Sequence, residues 1–163
     1  SVTVDMGKAY LKPGEIPALL DGENIIARNA EIGGKEYSMT CVSVGNPHCV
    51  IFVDNVDKVG IEKTGPQIEN AEIFPERINT EFVRVVNRRT LKMRVWERGN
   101  GETLACGTGA CAAAVAAVLE GKCDKGKDIT VKLRGGDLIV NYTDEKITLT
   151  GDCNLVFTGE IEY

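Results

Sequence analysis

The chain has 163 residues, 43% of them hydrophobic and 26% charged, and a formal net charge of -5. That length suits one domain able to bury a sizeable core, and the acidic balance argues against nucleic acid or an anionic membrane surface as a partner. No apolar run is long enough to span a bilayer, and no stretch reads as a signal peptide.

In chain order, residues 2–6 read as a strand that leads through Gly7 into a loop containing Pro13-Gly14 and Pro17. After the Gly33-Gly34 turn, residues 37–44 form the next strand. The short apolar run 50–53 has the character of a strand buried on both faces. Between these two, Gly45-Asn46-Pro47-His48 predicts a break, because proline cannot donate to a ladder and restricts the residue before it. Residues 56–70 read as a helix broken at Gly65-Pro66. Asn79 precedes a strand at 82–86, and Arg88-Arg89 forms a solvated hairpin turn.

In the strand 91–97, Leu91, Met93 and Val95 alternate with Lys92, Arg94 and Trp96. Glu97 falls on the apolar side of that alternation, so a carboxylate continues a core-facing stripe. Gly99, Gly101, Gly107 and Gly109 follow, around Cys106. Residues 110–120 are then a helix with no charge before Glu120, stopped by Gly121. A helix apolar on every side must be covered on every side. Residues 122–127 are a charged loop. The strands 129–133 and 138–142 are joined by Arg134-Gly135-Gly136-Asp137, a hairpin signal. Strands at 146–150 and 155–158 complete the chain. The expected fold class is α+β: a curved, mixed or antiparallel sheet wrapped around one buried apolar helix.

The chemistry depends on where Cys106 sits. The first N–H groups of a helix lack partners inside it and carry roughly half a positive charge. A thiol of pKa about 8.5 can fall to roughly 3.5–7.5 in such a place, and the same donors can hold a carboxylate. The alternative reading is a packed structural cysteine beside a tight turn. His48 is the only histidine and reads either as a satisfied structural residue or as a polar group presented between strands. Asn79 reads equally as a turn former. There are six cysteines without any Cys-x-x-Cys spacing, which with one histidine leaves no zinc site. Cys111 reads as core, and Cys41, Cys123 and Cys153 as structural. Reduced, buried thiols suit a cytoplasmic protein. The Gly-x-Gly elements lack the spacing of a dinucleotide fingerprint.

The run Glu97-Arg98-Gly99-Asn100-Gly101-Glu102-Thr103-Leu104-Ala105-Cys106-Gly107-Thr108-Gly109 resembles the second cysteine motif of the diaminopimelate epimerase family. Gly45-Asn46-Pro47-His48-Cys49-Val50 and Phe74-Pro75-Glu76-Arg77-Ile78-Asn79-Thr80-Glu81-Phe82-Val83 resemble two further motifs of that family, in the same order. The resemblance covers essentially the whole chain but only the C-terminal part of the family's protein. The first-half motif, an asparagine-rich Cys-Gly-Asn-Gly stretch, is absent. Residues 1–163 are therefore expected to be a single C-terminal domain of a two-domain epimerase. Residues 151–163 are expected to hold a strand that crosses to the N-terminal domain in the full protein.

The resemblance implies interconversion of LL- and meso-diaminopimelate, a precursor of lysine and peptidoglycan, by two cysteines and without any cofactor. It implies Cys106 as an acid/base group, with Glu97 and His48 beside the thiols. Main-chain N–H groups of Gly107 and Thr108 would hold the α-carboxylate. Asn46, Asn79, Glu97 and Arg98 would bind the rest of the substrate, Arg98 by its planar fork. The implied partners are diaminopimelate and the N-terminal half of the same enzyme, with a homodimer as the usual assembly, and neither nucleic acid nor membrane. This chain by itself is expected to be inactive. The alternatives are a half of a proline-racemase-like or phenazine-pathway isomerase, and a non-catalytic binding module.

Overall fold

The computed structural model describes residues 1–163. In chain order its elements are β1 (Val2–Asp5), β2 (Arg28–Ile32), β3 (Lys35–Ser43), β4 (Pro47–Phe52), α1 (Ile61–Glu69), β5 (Asn79–Asn87), β6 (Thr90–Glu97), β7 (Gly101–Thr103), α2 (Gly107–Leu119), β8 (Asp128–Leu133), β9 (Gly136–Tyr142) and β10 (Ile147–Gly151). The strands form one mixed sheet in the order β1-β10-β9-β8-β6-β5-β4-β3-β2, with β7 paired to the end of β6. The β4–β5 and β6–β8 pairs are parallel and the remaining pairs antiparallel.

The period-two alternation divides the apolar residues between the two faces of this sheet. Val42, Val50, Val83, Leu91, Met93 and Val95 turn toward α2, and Met39, Cys41, Cys49, Ile51 and Phe82 toward α1. Helix α2 touches β3, β4, β5, β6, β8, β9 and β10. A helix met by so many strands of one sheet is one the sheet curls around. This explains why Ala110 through Ala117 are all buried and why no polar face was needed. The helix ends as its sequence requires. Gly121 adopts a φ of +73°, and the Lys122 and Gly121 N–H groups close back on the carbonyls of Ala117 and Val118, a Schellman ending.

Four expectations are corrected. The first helix is not broken at Gly65-Pro66; the chain makes a 3-10 turn at Val56–Lys58, leaves helix at Val59-Gly60, and α1 then runs through Pro66. Gly65 is where α1 crosses Trp96 so closely that a Cβ would lie 2.4 Å from the ring, so the glycine serves packing rather than a break. Pro47 does not interrupt the sheet but begins β4 opposite Ser43, the first-residue position a strand tolerates in proline. His48 therefore lies inside a strand. Residues 155–158 form no strand in this chain, and 152–163 have no regular structure. Strands β2 and β7 were not anticipated. No helix is long and apolar enough to cross a membrane.

Candidate functional site

Three segments bring their polar groups to the N-terminal end of α2. Cys106 is the residue before its first turn, with extended backbone, and its Sγ accepts the Gly109 N–H at 3.3 Å. The next donors along, the N–H groups of Gly107 and Thr108, bond to nothing in the chain and remain available to an anion. The Thr108 hydroxyl lies 3.5 Å from Cys106 Sγ and accepts the Asn46 side-chain amide at 3.2 Å. Asn46 Oδ1 is 3.1 Å from His48 Nε2. On the other side of the ring, His48 Nδ1 is 2.6 Å from Glu81 Oε1. A continuous polar chain thus runs from Glu81 on β5, through His48 and Asn46 around the β4 start, to the thiol at the head of α2.

The sheet places these groups by alternation. His48 and Val50 share the α2 face of β4, as Glu81 and Val83 share that of β5, and both His48 and Glu81 are fully buried. Gly109 makes room for them, since a Cβ there would lie 2.7 Å from Glu81 Oε1 and 3.2 Å from Cys106 Sγ. Burial pushes the Cys106 thiol up, and the charge of Glu81 adds to this; the hydrogen bonds from Thr108 and Gly109 pull the other way. The low thiol pKa expected from a helix terminus is therefore not reached in this chain, because desolvation outweighs the donors. Cys111, one turn along and fully buried, is pushed up to about 12 by burial and has the core character expected of it.

Glu97 ends β6 on the α2 face and takes a short hydrogen bond from the Thr103 hydroxyl of β7. Its charge is felt at Cys106. Asn79 and Arg98 are brought close to each other but are occupied. Asn79 donates to the Pro47 carbonyl and accepts the Arg98 main-chain N–H, at 2.9 and 2.8 Å, while the Arg98 guanidinium donates to the Glu76 carbonyl at 3.0 Å. Asn79 thereby ties the start of β4 to the end of β6.

Two buried carboxylates escaped the sequence reading. Glu69 of α1 accepts from Trp96 Nε1, the Gly99 N–H and Arg77, each at 2.8 Å, and so holds the Glu97-Arg98-Gly99 turn in place. Glu81 shares its alternation with Val83, but alternation alone does not say which face is buried. No group of three or more His, Cys, Asp or Glu side chains converges as a metal site would require. The largest concavity, about 570 Å³, lies on the α1 side, lined by Tyr37, Phe52, Lys58 and Phe82 among others, and excludes Cys106. We place the site at α2 because the convergent polar groups are there, on an open surface rather than in a pocket.

Comparison with known proteins gives one answer. The family model described as diaminopimelate epimerase matches residues 40–156. The diaminopimelate epimerase of Acetivibrio thermocellus is 53% identical over 163 residues, which are 99% of this chain and 58% of that protein. The one from Geobacillus sp. strain WCH70 is 50% identical, covering 100% of this chain and 58% of its own length. The chain thus spans 58% of the length of these relatives. Among solved structures, a hydroxyproline epimerase from Agrobacterium vitis aligns with a TM-score of 0.60 at 12% identity, over 90% of this chain and 48% of its own. A Pseudomonas aeruginosa protein described as a predicted epimerase aligns with a TM-score of 0.57 at 18% identity, over 96% of this chain and 58% of its own. At these identities the structural likeness is one of fold.

Proposed function

The chain belongs to the diaminopimelate epimerase family, and on that premise we propose that it is the C-terminal half of an enzyme that interconverts LL- and meso-diaminopimelate. The observation that carries the reading is the thiol of Cys106 at the head of α2, with free N–H donors beside it and a buried His–Glu pair behind it.

The reaction inverts an amino-acid α-carbon. One thiolate removes the α-proton and a thiol on the opposite face delivers another. Two groups are needed because a single one would return the proton to the side it came from. Cys106 is one of them, and the N-terminal half supplies the other. The α-proton is very weakly acidic, so the carbanion needs fixed donors in a site closed to water. The N–H groups of Gly107 and Thr108 fill that role at the α-carboxylate. The thiol form favoured by burial suits Cys106 as the proton donor, and the Gly109 and Thr108 hydrogen bonds stabilise the thiolate it becomes. Glu97 and His48 set the charge around the thiols. Arg98 takes the distal head group of the substrate, with Asn79 holding the segment that carries Arg98, while Asn46, engaged with His48 and Thr108, borders the α-carboxylate end.

The open site argues that this half is inactive alone, because nothing in it covers the opposite face of a bound substrate. The segment 152–163 has its place in the other half. Leu155, Val156, Phe157 and Ile161 each expose more than four-fifths of their surface, as residues awaiting a partner sheet would.

The test is deuterium uptake at the α-carbon of diaminopimelate in heavy water, followed by mass spectrometry. Exchange is expected when the N-terminal half is added, and is absent for the chain alone or when Cys106→Ala replaces it in the mixture. No exchange in a mixture of folded, associated halves would overturn the reading.

A further inference from the structure

We propose that Glu81 is a positioning residue that fixes the tautomer of His48, so that Nε2, the nitrogen facing Asn46 and Cys106, is the one that gains and loses a proton. The inference rests on the epimerase reading for its consequence in turnover, but not for its structural content.

The hydrogen-bond chain admits two arrangements with the same number of protons. In the first, His48 Nδ1–H donates to Glu81, Nε2–H donates to Asn46 Oδ1, the Asn46 amide N–H donates to the Thr108 hydroxyl, and the hydroxyl proton points at a Cys106 thiolate. In the second, the Asn46 amide has turned over. Its N–H donates to Nε2, its oxygen accepts the Thr108 hydroxyl, and that hydroxyl accepts the Cys106 S–H. The two differ by one proton, carried on Nε2 in the first and on sulfur in the second, and the total charge is unchanged. Nδ1–H stays on Glu81 in both.

That constancy is what Glu81 supplies. A neutral imidazole can place its proton on either nitrogen, and the partner of one nitrogen decides the state of the other. With Nδ1 held by a carboxylate at 2.6 Å, the neutral ring must present a lone pair at Nε2, which the second arrangement requires. Without that partner the ring is free to protonate Nε2, and Asn46 then has only one orientation left.

Two further observations set Glu81 apart from an ordinary buried carboxylate. Its second oxygen, Oε2, is buried and has no hydrogen-bond partner. Such a group costs stability, so a carboxylate in this place, opposite the only histidine, points to a role beyond packing. Gly109, in the first turn of α2, leaves Oε1 the space it occupies. The titratable groups facing the ring are Glu81 from β5 and, through Asn46 and Thr108, Cys106 from α2; Glu97 at the end of β6 acts on Cys106 by its charge. The role assigned to Glu81 is that of the carboxylate orienting the histidine in a Ser-His-Asp triad, where it sets the tautomer and is not itself protonated.

Because His48 is the only histidine, one pair of imidazole nitrogen signals reports on it. The experiment is ¹⁵N NMR of the ring in this chain, for the native sequence, Glu81→Gln and Glu81→Leu, with α-deuterium exchange measured for each after addition of the N-terminal half. The native neutral ring is expected to carry its proton on Nδ1. Glu81→Gln, whose amide N–H can donate to Nδ1, and Glu81→Leu, which offers Nδ1 no acceptor, are both expected to move the proton to Nε2. Exchange should fall at least roughly tenfold in both variants, short of the 10⁴-fold cost of a wrong tautomer in a triad. An Nε2–H tautomer in the native chain, or an unchanged Nδ1–H in Glu81→Leu, would overturn the proposal. So would a tautomer switch that leaves exchange intact. If Glu81→Leu does not fold, the native and Glu81→Gln spectra decide. If no native mixture exchanges the α-proton, the epimerase reading fails while the tautomer result still stands or falls alone.

Discussion

Glu69 and Glu81 are both buried carboxylates, one on each side of the same sheet, and they are treated in opposite ways. Glu69 faces α1 territory and is saturated, with an indole N–H, a main-chain N–H and a guanidinium on its two oxygens. Glu81 faces α2 and is half satisfied, with His48 on one oxygen and nothing on the other. Each region also contains a glycine whose missing Cβ makes the arrangement possible: Gly65 under Trp96, and Gly109 against Glu81. Saturation makes Glu69 a bracket, because two of its three bonds hold a piece of backbone or a ring. Incomplete saturation leaves Glu81 with a single bond, to the His48 ring, on which the proposed tautomer depends. Two residues of the same type thus differ in their hydrogen-bond inventories, one suited to rigidity and the other to the role proposed for it at His48.

The largest effect that could break this contrast is the stability cost of Glu69→Ala. It strands the half-buried Trp96 indole donor, at roughly 1–3 kcal/mol, while the exposed Gly99 N–H can turn to water. The half-exposed Arg77 side chain loses little. A total of about 2 kcal/mol is expected in urea denaturation of the chain, whereas Glu81→Gln should shift the midpoint far less, since its site was never fully paired. Equal losses for both would mean that saturation does not distinguish them. Gly65→Ala comes next. Its Cβ would sit 2.4 Å from Trp96, so the ring must move off Glu69, and overpacking of this kind costs typically 1–3 kcal/mol. A Gly65→Ala chain as stable as the native one would show that the bracket tolerates displacement of its indole.

How much of this was legible in the sequence follows from what each residue signals locally. Helix α2 was legible because an alanine-rich run without charge, closed by Gly121, has few other structural uses, and the sheet around it followed from its need for cover. The alternation in β6 correctly put Glu97 on the core-facing side. Strand β7 was invisible because three residues among glycines carry no period, and β2 because its side chains are mostly polar on a sheet edge. The Asn46, His48, Thr108 and Cys106 cluster emerged from family resemblance, since residues 46 and 108 are joined only by the closure of the sheet around α2. Glu81 was missed because a single acidic residue in a strand ordinarily faces solvent; only the parallel β4–β5 pairing and the crossing of α2 reveal that its face is buried. The apolar residues 155–158 have strand composition, yet composition supplies no partner edge, and none of the sheet's edges takes them.

Gly109→Ala probes the other glycine, and here two terms oppose. Alanine is the better helix former by about 1 kcal/mol, yet its Cβ would press on Glu81 Oε1 at 2.7 Å and on Cys106 Sγ at 3.2 Å. Net stability should change by no more than about 1 kcal/mol, while α-deuterium exchange in the assembled enzyme falls sharply, because both displaced atoms belong to the site. A parallel loss of stability and exchange would instead make Gly109 a packing residue like Gly65.

The smallest expected effect uses a third carboxylate, Glu102 of β7, to set the scale for solvent. It sits between Arg94 and Arg134, at 2.7 and 2.8 Å, and remains partly exposed. The hydrogen bond and charge of Arg94 hold its carboxyl below the usual value of 4.5. A carboxyl lowered in the folded state contributes stability above its unfolded value and loses it as the pH falls through the folded one. Arg94→Gln should therefore reduce stability at neutral pH and make the loss on acidification shallower below about pH 4.5. The pH-dependent part should be at most about 1 kcal/mol, since water and salt screen the partly exposed Glu102. Thermal melts of both chains from pH 7 to 3 measure it. Curves that stay parallel across that range would mean Arg94 acts through its hydrogen bonds to the Val56 and Val59 carbonyls, and that Glu102, unlike Glu69, brackets nothing.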